Sequence, residues 1–264
     1  MLHYSSLPNR LFDKLLSVTG LKKLSLITID KIKDAVFLLD KAKLKDRQAK
    51  LEQCQSLEDF YDFTEIEFYP YQDRDEMLRF LEFAKDERPV NLCEIGTADG
   101  GTNFLLTHAL LTPKSMLCVD LYVSQKAKLS YFAQGKVDIS FIDGPSCESS
   151  SVSKAEKIIG NQKLDLLFID GDHTYEGVSR DFFHYKRFVR DGGLIVFHDI
   201  VPDYLTRYGK PTMRWVGDVP QFWQKIKNYY PHWEFIQNPD QDGLGIGVIR
   251  FSQNCEIPNS LLCK

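Results

Sequence analysis

Four Asp and His side chains follow two short apolar runs in the second half of the sequence: Asp170 and His173, then His198 and Asp199. Carboxylate oxygens suit hard cations such as Mg²⁺, and an added imidazole ligand shifts the preference toward Mn²⁺. A neutral imidazole can also remove a proton near neutral pH. The four residues therefore predict a metal site of Asp170, Asp199 and His198, a general base at His173 or His198, or both together.

A structural role for the same residues stays open. The cluster could hold its loops in place, with Asp172 or Thr174 capping the next helix. His108 and His184 fall inside predicted helices, where a surface or core role is the simpler interpretation.

These loop residues need elements that bring them together, and the hydrophobic pattern predicts such elements. Apolar runs typical of buried parallel strands occur at 90–95, 116–119, 137–142, 164–169 and 194–197. Helical stretches separate most of them, at 101–111, 150–160 and 175–189. This alternation predicts an α/β fold with a doubly wound parallel sheet, in which the carboxyl ends of the strands share one crevice.

The remaining elements lie outside this alternation. Helical spacing predicts helices at 8–19, 27–50, 73–86 and 219–229, and further strands are expected near 233–236 and 245–251. The long irregular segment 200–218 is typical of a functional loop or lid.

A glycine-containing loop follows the first strand and opens a helix, with the sequence EIGTADGGT at residues 94–102. Such a turn lets the backbone approach a nucleotide-like ligand closely. Ala98 stands where a dinucleotide fingerprint has its second glycine, so a ligand without phosphates is favoured over NAD. Asp120, at the end of the second strand, is placed to accept hydrogen bonds from ribose hydroxyls.

The turn at the end of the third strand, Asp143-Gly144-Pro145-Ser146, lies on the predicted adenine side of the crevice. It could supply a partner for the adenine amino group. Alone it is a weak signal, because turns of this composition are common.

Taken in order, these segments resemble a family. The sequences EIGTADGGT, LLFIDGDHTYEGVSRDF, GGLIVFHDIVP, WVGDVPQFW and DGLGIGVI resemble class I S-adenosylmethionine (SAM) dependent methyltransferases of the cephalosporin-hydroxylase-like group, over roughly residues 70–251. The resemblance implies a seven-stranded Rossmann-like sheet whose last strand is antiparallel, with SAM at the carboxyl ends of its first half. It places Asp120 at the ribose and Asp170 beside the sulfonium. Near adenine it places Asp143, Gly144 and Ser146. The methionine and ribose portion would be lined by Glu94, Gly96, Gly100 and Gly101.

The ends of the fourth and fifth strands also resemble metal-dependent O-methyltransferases of the catechol type. That likeness implies Asp170 and Asp199 as ligands of Mg²⁺ or Mn²⁺ and His173 as the base. His198 stands where an acid is usual, so a ligand set with His198 has two carboxylates rather than three, which weakens a hard-cation site.

Composition and charge limit the classes of partner that the chain is expected to bind. A net charge of −4 argues against a nucleic-acid partner for the whole chain. Residues 1–50, however, hold eleven Lys or Arg and five Asp or Glu. We expect residues 1–65 to form a helical cap or dimerisation arm, with polyanion, RNA or membrane-surface contact as alternatives. The methyltransferase domain is expected at 66–253 and a tail at 254–264.

The six cysteines form no C-x-x-C pair, and neither a signal peptide nor an apolar span is evident, so we expect a soluble cytoplasmic protein. The sequence predicts O-methylation of a hydroxyl on a small molecule or saccharide. An NAD-type oxidoreductase and a non-catalytic scaffold are the alternatives.

Overall fold

The computed structural model describes residues 20–258 and Leu261, with side chains described from Ile27 onward. The predicted helix at 8–19 lies outside the described residues. The helices of the described part are α1 (Gly20–Leu39), α2 (Lys41–Glu52), α3 (Leu57–Glu67), α4 (Arg74–Glu87), α5 (Gly101–His108), α6 (Lys126–Ala133), α7 (Ser149–Ile159), α8 (Tyr175–Tyr185), α9 (Tyr204–Tyr208) and α10 (Val219–Ile226). The strands are β1 (Asn91–Ile95), β2 (Ser115–Asp120), β3 (Asp138–Asp143), β4 (Leu164–Ile169), β5 (Val189–His198), β6 (His232–Phe235) and β7 (Ile246–Arg250).

The strands form one seven-stranded sheet in the order β3-β2-β1-β4-β5-β7-β6. The pairs from β3 to β5 are parallel, and β7 runs antiparallel to both of its neighbours. This confirms the predicted α/β sheet and its antiparallel last strand. Strand order reverses between β1 and β4, so their carboxyl ends flank the crevice where doubly wound sheets bind ligands.

An aromatic cluster fills one side of the sheet. The ring of Phe104 on α5 stacks on those of Phe63 and Phe68, with centroids 5.3 and 5.1 Å apart, and Phe132 on α6 meets all three. Phe63 belongs to α3, which Ser56 opens with a capping box. The N-terminal helices therefore contribute side chains to the core of the sheet layer.

The prediction of a single helix over 27–50 was wrong in one respect. The chain breaks at Asp40, whose side chain accepts a hydrogen bond from the Lys43 backbone N–H at 3.1 Å and caps α2. A carboxylate that satisfies the next helix's free N–H group favours a new start over continuation. Helices α6 and α9 were not predicted, and α3 falls largely within the stretch 1–65 that was predicted as helical without these bounds.

Helix α1 packs beside α6, next to the end of β2. The Tyr122 hydroxyl donates to Asp30 at 3.0 Å, and the Ala127 N–H donates to Asp34 at 3.3 Å. These hydrogen bonds attach the N-terminal arm to the sheet next to the carboxyl end of β2, where Asp120 lies.

One stripe of α1 is exposed and apolar, formed by Ile29, Ile32, Val36 and Leu39. Such a stripe is what a helix-mediated homodimer would bury, and the homodimer stays a prediction. None of the described helices combines the length and the apolar character needed to cross a bilayer.

Candidate active site

The parallel pairing of β4 with β5 brings the four chemical residues together. Ile169 pairs with Phe197, so the residues that follow leave the sheet side by side. His173 Nε2 lies 3.3 Å from Asp170 Oδ1, and His173 Nδ1 lies 3.4 Å from Asp199 Oδ2. His198 Nδ1 lies 3.2 Å from Asp170 Oδ1.

Asp170, His173 and Asp199 each offer one ligand atom within 4.8 Å of the other two. Two carboxylates and one imidazole fit a hexacoordinate cation such as Mn²⁺ or Mg²⁺ that keeps several waters. The sequence predicted His198 as the imidazole ligand, and its Nδ1 also lies 3.6 Å from Asp199 Oδ1, so both imidazoles flank the two carboxylates. His198 is 3% exposed, and its Nε2 has no hydrogen-bond partner among the described residues.

Burial and mutual charge set the protonation of this cluster. Burial lowers the pKa of His173, but Asp170 and Asp199 outweigh it and raise that pKa to about 9. The same carboxylates raise the pKa of His198 to about 9. Burial alone would raise the pKa of Asp170, but the two imidazoles outweigh burial and hold that pKa below its usual range. The free cluster therefore holds charged imidazoles against a charged Asp170 near neutral pH.

The segment after β5 fixes the orientation of the His173 ring. His173 Nδ1 lies 2.9 Å from the Trp215 carbonyl oxygen, and the two rings stack with centroids 4.9 Å apart. The Asp218 N–H donates to the His173 carbonyl at 2.7 Å. Because a carbonyl only accepts, His173 Nδ1 carries a hydrogen in either charge state, and Nε2, which faces Asp170, is the nitrogen that loses or takes up the second proton. Trp215 lies in the irregular segment 200–218, for which the sequence predicted a functional loop or lid.

The glycine loop sits directly against the β4 end. Gly96 has φ +87°, and a Cβ there would lie 1.9 Å from the Asp170 carbonyl oxygen. Asp120 accepts from the backbone N–H groups of Ala98 at 2.9 Å and Tyr122 at 3.0 Å. Gly100, with φ +88°, starts α5. The loop and Asp120 are thus one hydrogen-bonded unit at the switch point, and the nucleoside site there stays a prediction.

Glu94 lies beneath this loop, 1% exposed. The Asn103 side-chain amide donates to it at 3.3 Å. Burial raises the pKa of Glu94 to about 8. A carboxyl so placed is protonated near neutral pH in the free chain.

Replacing Glu94 with glutamine is expected to flatten the pH dependence of stability between pH 4.5 and about 8. In this window folded Glu94 keeps a proton that the unfolded chain releases, so the free energy of unfolding falls as pH rises and levels off above it. Urea denaturation at several pH values measures the slope. Glu148→Gln, at an exposed site, should keep the wild-type slope. An unchanged slope in Glu94→Gln would show that Glu94 is ionised in the fold.

The residues predicted near adenine lie at the end of β3, where Asp143 pairs with Asp120. Asp143 accepts from the Val123 N–H at 3.0 Å and contacts Lys126. The Ser146 hydroxyl is hydrogen-bonded to Asp181, a buried carboxyl on α8. Burial raises the pKa of Asp181 to about 7.

Sequence reasoning missed residues 70–72, named here the strap. Pro70, Tyr71 and Gln72 line one cleft together with the loop from Gly96 to Thr102 and with Asp170. The strap ends at Asp73, which caps α4. In the sequence, only Asp73, the capping residue of α4, marks the position of the strap.

Comparisons with known proteins find similarity to methyltransferases. A family model described as a methyltransferase domain matches residues 93–200. The O-methyltransferase from Bacillus cereus, solved in complex with S-adenosylhomocysteine (SAH), aligns with a TM-score of 0.53 at 16% identity over 74% of this chain and 90% of its own. The O-methyltransferase TomG from Streptomyces achromogenes, which is involved in tomaymycin synthesis and was solved with SAM, aligns with a TM-score of 0.52 at 15% identity over 76% of this chain and 91% of its own.

Among curated proteins, an uncharacterized protein of Acanthamoeba polyphaga mimivirus is 56% identical over 36 residues. That match spans 14% of this chain and only 16% of the length of the relative.

Proposed function

We propose that this chain, a class I SAM-dependent methyltransferase whose family match covers residues 93–200, methylates a hydroxyl group of a small molecule or saccharide. The observation that carries this proposal is the convergence of Asp170, His173 and Asp199 at the β4 and β5 ends. They lie beside the glycine loop and Asp120, the residues proposed to hold SAM. An imidazole next to a cofactor is suited to remove a hydroxyl proton.

In the proposed reaction the neutral form of His173, with Nε2 unprotonated, takes the proton of an acceptor hydroxyl. Because the carboxylates raise the pKa of His173, this form becomes more abundant as pH rises. The Trp215 carbonyl holds Nδ1–H, so the ring keeps the tautomer and the orientation that this transfer needs. The hydroxyl oxygen then attacks the methyl carbon in line with the departing sulfur, forming the C–O bond as the C–S bond breaks. Alignment and electrostatics supply most of the rate enhancement.

Asp170 and Asp199, with His198 or His173 as the imidazole, would hold a divalent cation. The cation would lower the pKa of a coordinated hydroxyl. The two imidazole choices differ in chemistry, because a ring that is bound to a metal through Nε2 cannot also act as the base. The roles of His198 as ligand and His173 as base are the ones we propose.

The segment after Asp199 supports an acceptor with apolar or ring surface. Leu205, Tyr208 and Met213 are each more than half exposed there. Aromatic and apolar side chains bind saccharide rings and small metabolites alike. We propose a cytoplasmic location from the cysteine pattern of the sequence.

Calorimetric titration with SAH, with and without Mg²⁺ or Mn²⁺, tests the proposed cofactor and metal. We expect micromolar SAH binding that Asp120→Ala abolishes, because Asp120 is the proposed ribose acceptor. We expect a separate heat of metal binding that Asp199→Ala removes.

Asp138→Ala is the matched control, since Asp138 is an exposed aspartate at the start of β3, away from the crevice. It should leave both heats unchanged. Absence of SAH binding under every condition would refute the proposed function. A metal heat that survives Asp199→Ala would refute the metal site alone.

A further inference from the structure

We propose that Gln72 in the strap binds the ammonium group at the methionine end of the cofactor and couples it to Asp170. This inference rests on the proposed function. It assigns a cofactor contact to a residue that lies outside the matched domain at 93–200.

The strap is held against the cleft by contacts on several sides. The buried Tyr61 hydroxyl donates to the Gln72 carbonyl at 3.0 Å, and the Tyr71 hydroxyl donates to Asp99 at 3.0 Å. A Cβ on Gly101 would lie 2.8 Å from the Pro70 Cα. The backbone at Gln72 therefore has a fixed position over the glycine loop.

Hydrogen bonding also fixes the orientation of the Gln72 amide. Its Nε2 lies 3.0 Å from Asp170 Oδ2, and the residue is 6% exposed. A carboxylate only accepts hydrogen bonds, so the amide nitrogen must face Asp170 and the amide oxygen must face elsewhere. That oxygen is buried and has no partner among the described residues. A buried acceptor without a donor is costly, which indicates a ligand that supplies one.

The charge around the cleft selects a cationic donor. The described residues that line it include Asp99 and Asp170, and neither Lys nor Arg is among them. A primary ammonium carries three donors and a positive charge, so it satisfies the Gln72 oxygen and is attracted by Asp99, the carboxylate of the cleft that is not paired with an imidazole. SAM has one such group, at its methionine end. Gln72 would then position this end while its own Nε2 holds Asp170.

Binding of three ligands to the wild type and to Gln72→Met tests this inference. SAH has both the ammonium and the carboxylate, decarboxylated SAH keeps only the ammonium, and methylthioadenosine lacks both. Methionine matches glutamine in length but cannot accept this hydrogen bond. We expect the variant to bind the two amines about tenfold more weakly, the scale of one hydrogen bond to a charged group. Its affinity for methylthioadenosine should change less than about twofold on the same basis.

Tyr71→Phe is the matched control, because it loosens the strap without removing the Gln72 oxygen. It should shift the affinities for all three ligands by a common factor. Equal losses for all three ligands in Gln72→Met, or no loss at all, would overturn the inference. Retained binding of methylthioadenosine by the variant would show that the site is folded.

A loss of SAH binding alone, with decarboxylated SAH unaffected, would assign Gln72 to the carboxylate and also overturn the inference. Failure of the wild type to bind any of the three ligands would instead refute the proposed function. Gln72→Asn, which is too short to reach Asp170 from the same backbone position, serves as a second variant if Gln72→Met does not fold.

Discussion

Replacing His173 with alanine is expected to lower kcat by about 10²- to 10⁴-fold, the contribution of a positioned general base. The affinity for SAH should change little. The imidazole lies between Asp170 and Asp199 and stacks on Trp215, so its removal leaves the glycine loop and Asp120 intact. Single-turnover kinetics with saturating SAM, together with calorimetric titration of SAH, separate the two effects.

The control for this change is His184→Ala, an exposed histidine on α8. It should keep wild-type turnover and wild-type affinity. Turnover that survives in His173→Ala would assign proton removal to another group, with His198 as the next candidate. A loss of SAH affinity equal to the loss of turnover would instead make His173 a residue of the cofactor site.

Replacing Gly96 with alanine is expected to lower the free energy of unfolding by about 3–5 kcal/mol, in the range of severe backbone clashes. Two effects act together. The φ of +87° is strained for alanine, and the new Cβ would lie 1.9 Å from the Asp170 carbonyl oxygen. The loop and the β4 end must separate to admit the methyl group. Urea denaturation measures the loss, and SAH binding should disappear with it.

Gly135→Ala isolates the first of these effects. Gly135 has φ +75° and nothing within 4 Å of the added Cβ, so its cost should be about 1 kcal/mol of backbone strain. The difference between the two variants measures the contact between the glycine loop and Asp170. Equal losses at both positions would mean that the loop moves freely away from β4.

Much of the sheet could be predicted because parallel strands are buried on both faces. The run at 164–169 coincides with β4, and Asp120 and Asp143 end their strands as expected. The convergence of Asp170 with Asp199 followed from the rule that parallel strands end at a common edge. These conclusions depend on local apolarity and on topology, which the sequence carries.

What the sequence could not show were contacts between segments far apart in the chain. Gln72 meets Asp170 across 98 positions, and nothing local marks either as the other's partner. The bounds of helix α3 were not predicted, although its buried residues Phe60, Tyr61, Phe63 and Thr64 recur at helical spacing. Both imidazoles lie beside both carboxylates, and the orientation of the His173 ring depends on its contact with the distant Trp215 carbonyl.

The stacking of Phe63 and Phe68 on Phe104 has a consequence for how the molecule unfolds. Phe104 lies inside the matched domain, whereas both of its partners lie before residue 93. A fragment that starts at the domain boundary would keep the glycine loop and Asp170 but would expose the part of the Phe104 ring that Phe63 and Phe68 cover. We therefore expect the smallest cooperatively folding unit to begin near α3, before the first residue of the matched domain.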